Sequence, residues 1–121
     1  MRLHDARLVS IEIKPDDAVV IGFVRESGDT SRLLLGQVQR LRTFDFREGN
    51  IVLEVDEVCG VAPSVALLQR LFDLGADERP DYLRAAIARI EEGTLKLIHI
   101  VPSYGCELIA LCGEAILTPQ D

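Results

Sequence analysis

Residues that make chemistry legible are scarce in this chain of 121 residues, which has only two histidines, His4 and His99, and three cysteines, Cys59, Cys106 and Cys112. No CxxC pair occurs, and no cysteine lies at a zinc-finger spacing from a histidine, so the sequence offers no zinc-finger pattern and no metal is expected. An odd number of thiols set in apolar runs is the pattern of buried, reduced cysteines rather than of a disulfide framework. Cys106 and Cys112 fall near the ends of one predicted strand, about 20 Å apart at the strand rise, which is too far to bridge. The phosphate-cradling GxGxxG and GxxxxGKS/T loops, the HExxH metalloprotease helix and the GxSxG nucleophile elbow are all missing, and no cofactor is expected.

Long apolar runs are missing too. Nothing reaches the roughly 18 residues of a membrane helix, and the opening MRLHDARLVSIEIKPDD has no continuous apolar signal core, so a cytoplasmic protein with no membrane partner is expected. Basic residues are in deficit: 13 Lys and Arg against 20 Asp and Glu give a formal charge of −7, spread over both halves of the chain. Such a surface opposes phosphate backbones and speeds encounter with basic partners, so nucleic acid is not expected as a ligand.

What is present describes a domain able to bury a core. Hydrophobic residues make up 48% and charged residues 27%, and the mean hydropathy is +0.18, outside the regime of disordered chains. With no linker, repeat or low-complexity tract, one α+β domain over residues 1–121 is expected. Val9, Ile11 and Ile13 alternate with Ser10 and Glu12 and predict a first strand over 6–14 with one buried face. Pro15, Asp16 and Asp17 predict a turn, and 19–24 a second strand. Leu33, Leu34, Leu35, Val38 and Leu41 would also suit a short helix, but flanking turn signals and Gly36 favour a strand over 32–39. Ile51, Leu53 and Val55 alternate in a fourth strand, after a turn at 47–50.

The period then changes. Val65, Leu68, Leu71 and Phe72 recur at helical spacing over 64–74, with Ser64 as N-cap and Gly75 beyond the end. A second helix begins at Pro80, carries Leu83, Ala86, Ile87 and Ile90 on one face, and stops at Gly93. Strand character returns from Leu95 to Val101, Pro102 to Gly105 read as a tight turn, and 107–117 is a nearly continuous apolar strand. Both faces of these last strands are partly apolar, so they belong inside the sheet with the helical hairpin as cover. The predicted architecture is a mainly antiparallel sheet of about six strands with a two-helix insertion packed on one face.

Three constellations merit weight. Glu54, Asp56 and Glu57 form a compact acidic segment able to meet Arg or Lys on a partner, or simply to be a solvated face. His99, Tyr104 and Cys106 lie around one turn, and a thiol near an imidazole is the minimum for nucleophilic catalysis. Turn geometry and packing explain Tyr104 and Cys106 equally well, and a mid-strand histidine among apolar neighbours is an ordinary hydrogen-bonded core or rim residue. The helical hairpin is a poor DNA reader, since its second helix sets Arg84 and Arg89 against Asp81, Glu91 and Glu92.

The stretches HDARLVSIEIKPDD, FREGNIVLEV and LKLIHIVPSYGCELIALC resemble small bacterial α+β proteins of unknown function, some of them similar to immunity proteins of toxin systems. The resemblance implies a small acidic protein that neutralises a basic toxin by binding, with no catalytic residue to carry over. The expectation is therefore a non-catalytic protein-binding module with Glu54, Asp56 and Glu57 as its partner-binding residues. The alternative is a small enzyme or small-molecule binder using His99, Tyr104 and Cys106.

Overall fold

The computed structural model describes residues 2–120. Its elements in chain order are β1 (Arg7–Lys14), β2 (Ala18–Val24), β3 (Thr30–Gly36), β4 (Arg40–Phe44), β5 (Asn50–Val58), α1 (Val65–Leu71), α2 (Asp81–Glu91), β6 (Lys96–Tyr104), β7 (Glu107–Cys112) and β8 (Glu114–Gln120). Over the described residues the chain is α+β, with two helices and an antiparallel sheet in the order β4-β7-β6-β5-β1-β2-β3-β8. The sheet has eight strands rather than about six. Residues 40–44 form a strand that the sequence pattern does not announce, and the apolar run 107–117 divides at Gly113 into β7 and β8.

That division has a physical cause. The ladder pairing β3 with β8, from Thr30↔Gln120 to Gly36↔Glu114, continues as β4 with β7, from Arg40↔Leu111 to Phe44↔Glu107. Between the two lies a corner where Gln37 takes a φ of 52° and Gly113 donates its N–H to the carbonyls of Gly36 and Gln37 at 3.1 and 3.2 Å. A Cβ on Gly113 would come within 3.1 Å of the Gln37 Cβ and displace the end of that side chain, so glycine lets the two chains cross closely without moving Gln37. Bent there, the sheet wraps almost closed around one core, in which Leu8, Ile21, Phe23, Leu33, Val52, Ile98, Ile100 and Leu108 are buried together.

A second cluster lies outside the wrap. Leu68 and Leu71 of α1 and Leu83, Ala86 and Ile90 of α2 pack on Leu97 of β6 and Ile109 and Leu111 of β7, so the hairpin covers one face of these strands, as the two-sided apolar pattern implied. Ser64 caps α1 by accepting from the Leu67 N–H. The residue past its end is Asp73 at φ 57° rather than Gly75, with Leu74 N–H bonded to Gln69 O and Asp73 N–H to Arg70 O, a Schellman ending. Pro80 is the N-cap of α2, one residue before the first helical position. β6 runs on through Pro102 to Tyr104, so the turn is narrower than 102–105 and centres on Gly105 at φ 82°.

One expectation about burial fails. A bulge between Leu8 and Ser10 shifts the register of β1 on β2, so Leu8 is buried while Val9 is turned outward and 49% exposed. Ile13 keeps the inner face, opposite buried Val19, yet is 75% exposed because it lies beyond the ladder with β5. β1 pairs with β5 only through Arg7 and Leu8. Beyond them no strand among the described residues pairs with the second edge of β1, and a groove of about 350 Å³ opens between β1 and β4, lined by Ile11, Ile13, Leu41, Thr43 and Phe46.

Candidate functional site

The register of β5, β6 and β7 sorts the candidate residues by face. Asp56 lies directly across from His99, Glu54 across from Val101, and His99 across from Ile109. Residues opposite one another in a ladder share a face, so Glu54, Asp56 and His99 lie on the outer side of the sheet, beyond the area that the helices cover. Glu57 lies across from Ile98, a core residue, and therefore points to the other face, where its carboxylate sits 3.6 Å from Lys96 Nζ. The structure thus brings Glu54 and Asp56 together and separates Glu57 from them. Among the described residues neither Glu54 nor Asp56 forms an ion pair, and both are exposed.

The neighbouring part of this face is a closed polar network. His99 Nε2 donates to Glu107 Oε2 at 2.7 Å; because a carboxylate only accepts, that nitrogen carries the hydrogen. Arg70 reaches the same carboxylate with both terminal nitrogens, Nη1 to Oε2 at 3.0 Å and Nη2 to Oε1. The Arg70 guanidinium holds the Glu107 carboxyl below its ordinary range; burial opposes this and His99 assists it. Glu107 in turn raises Arg70. Arg70 and Arg42 both lie over the Phe44 ring, at 4.8 and 4.6 Å from its centroid. Arg42 Nη1 donates to the Arg70 carbonyl at 2.6 Å, and Arg40 Nε to the Leu71 carbonyl at 3.3 Å. Two arginines of β4 therefore cap the negative end of α1. Glu107 is answered by Arg70 and His99, Arg42 by Asp73, and Arg40 by a helix-end carbonyl, so the chemistry of this network is that of a clamp between helix and sheet.

His99, Tyr104 and Cys106 do not converge. His99 faces outward, whereas Cys106 is 2% exposed within the inner core. Burial, with the Glu107 charge adding to it, pushes the Cys106 thiol up to about 11. At neutral pH such a group is almost entirely a thiol and a poor nucleophile. Tyr104 is exposed, and its hydroxyl accepts from Arg47 Nη1 at 3.4 Å, with the Arg47 guanidinium 5.5 Å from its ring centroid. No group of three or more His, Cys, Asp or Glu among the described residues is placed to hold a metal ion, and no helix among them is long and apolar enough to cross a membrane.

Sequence reasoning passed over Asn50, which supports this end of the sheet. It is 2% exposed. Its Nδ2 donates to the carbonyls of Leu8 at 3.2 Å and Arg47 at 2.7 Å, and its Oδ1 accepts from the N–H of Arg47 at 2.8 Å and of Cys106 at 3.0 Å. One amide side chain thus joins β1, the 45–49 connection and the β6–β7 turn. An Asn at the end of a turn signal, just before an alternating strand, was the available clue. Around this end Ile51, Leu53 and Tyr104 are exposed apolar or aromatic side chains beside Glu54, with Ile51 directly across from Tyr104. No protein-family model matches the chain, and a search of curated proteins returns no match.

Proposed function

We propose that this chain is a non-catalytic protein-binding module whose outer β5 face receives a basic partner, in the manner of an immunity-type inhibitor meeting a basic toxin. One observation carries the reading: Glu54 and Asp56 are unpaired carboxylates on a single strand face, bordered by exposed Ile51, Leu53 and Tyr104. Carboxylates on a paired strand lose less freedom on binding than the same groups on a loop. A charged pair beside aromatic and aliphatic contact area suits protein recognition, with charge steering the encounter and apolar area holding the complex. The deeply buried Cys106 thiol, turned away from His99, favours binding over nucleophilic chemistry. Glu57 is excluded from the contact, because it faces Lys96 on the other side.

The test is comparative capture from a cell lysate on immobilised wild-type chain and on the Glu54→Gln/Asp56→Asn variant, at low salt. A stoichiometric basic protein retained by the wild type and lost by the variant is the expected result. Equal retention on both surfaces would reject the face, and recovery of an acidic or neutral partner would reject the charge argument.

A further inference from the structure

We propose that the free edge of β1 is a self-association edge, at which two copies of this chain pair β1 to β1, antiparallel, about a two-fold axis through Ile13. In that register Glu12 of each copy faces Lys14 of the other.

Three observations point there. Among the described residues the strand is paired on one side only from Val9 to Lys14, because its ladder with β5 ends at Leu8. An unpaired edge presents a row of N–H and C=O groups to any chain able to extend the sheet. Natural edges are usually blunted by inward charges, proline or bulges. Here the bulge at Leu8/Ser10 and Pro15 bound the edge but do not interrupt it, and its inward positions are Ile11 and Ile13. Ile13, at 75%, is the most exposed large apolar side chain among the described residues, and it borders the apolar groove in front of Leu41 and Phe46. A second β1 laid along the edge would place its own Ile13 beside this one and extend the apolar floor.

The charge pattern selects the occupant. Glu12 Oε1 and Lys14 Nζ are 3.0 Å apart, so both side chains rise from the same face. Their neighbours on β2, Val20 and Ala18, carry no charge that competes. In an antiparallel pair centred on Ile13 every position i meets position 26 − i: Glu12 meets Lys14, Lys14 meets Glu12, and four charges alternate around the axis. A parallel in-register pair would set Glu12 on Glu12 and Lys14 on Lys14. Pro15, which lacks an N–H, meets Ile11 and ends the ladder. An isologous interface needs one patch that complements itself under a two-fold rotation, and this edge has that property around Ile13, near its C-terminal end.

Analytical ultracentrifugation of the full chain over a concentration series tests this. The wild type is expected to approach twice its single-chain mass of 13.4 kDa, and Ile13→Lys to remain a single chain with an unchanged circular dichroism spectrum. Glu12→Lys and Lys14→Glu each set two like-charge pairs across the axis and should each weaken association by roughly tenfold. The double exchange Glu12→Lys/Lys14→Glu should restore it. A wild type that stays at single-chain mass at every concentration, an Ile13→Lys variant that still pairs, or a double exchange no tighter than the single ones would each overturn the proposal.

Discussion

Asn50 shows how much one side chain can hold. It satisfies two backbone N–H groups and two carbonyls from three segments, and with it removed several of these groups would be buried without a partner, at about 1–3 kcal/mol for each such group. Asn50→Ala should therefore lower stability by about 3 kcal/mol, read as a fall in the urea midpoint with an unchanged slope. Gly105 belongs to the same knot. At φ 82°, a Cβ there would come within 3.1 Å of the Asn50 Cα, so Gly105→Ala should be destabilising even though the turn is at the surface. The cysteines give a second residue-scale test. Cys106 and Cys112 are buried, with thiols pushed up to about 11 by burial, whereas Cys59 is only half-buried. In the native protein one thiol should react quickly with an aromatic disulfide and two slowly, with three reacting in denaturant; two fast thiols would place a buried cysteine wrongly. The sequence made Cys106 and Cys112 legible as buried because they sit in apolar runs, whereas Cys59, expected to be buried as well, lies just past the end of β5 and is only half-buried. Nor could the sequence make Val9 or Ile13 legible as exposed. A bulge turns Val9 away from the core, and Ile13, which keeps the inner face opposite Val19, is exposed because the ladder of β1 with β5 ends at Leu8, a pairing set by distant sequence.

Among the elements, α1 was the easiest to read and β4 the hardest, and the reasons are connected. α1 carries its apolar residues at helical spacing behind a Ser N-cap, a signal contained within the segment. Residues 40–44 alternate Arg with Leu and Thr, and only partners distant in sequence, Leu108 and Ala110 inside and the end of α1 outside, make that a strand. The clamp joining the two elements responds to pH through Glu107. Its carboxyl is held below the ordinary range by Arg70 and His99 against burial. A folded-state value below the unfolded one, near about 4.3, stabilises fully above the unfolded value, and the contribution disappears as pH falls through the lower folded value. Glu107→Gln should cost about 1 kcal/mol at pH 7, given how exposed Arg70 is. The Tm difference from wild type should shrink as the pH drops through the acid range. A difference that stays constant with pH would show that Glu107 acts by shape and not by charge.

At the scale of the whole molecule, class and layering were legible, because the period-two runs, the helical hairpin and the two-sided apolar strands each announce themselves locally. The count of strands and the near-closure of the sheet were not, since a corner at Gly113 looks like uninterrupted apolar sequence until the crossing chain at Gln37 is in place. The acidic balance was legible as well, but which carboxylates act together depends on strand register: Glu54 and Asp56 share a face, and Glu57, one residue on, does not. Removing the charge of Glu54 and Asp56 should change stability by less than about 0.5 kcal/mol, as for other exposed charges away from special features. The direct test of the proposed binding face is association rate against ionic strength, measured with whichever basic protein the lysate capture retains. Wild type should associate fast at low salt and slow steeply as salt screens the encounter, while Glu54→Gln/Asp56→Asn should start slow and meet the wild-type curve at high salt, with Glu57→Gln following wild type throughout. Wild-type and double-variant curves that coincide at every ionic strength would contradict the account.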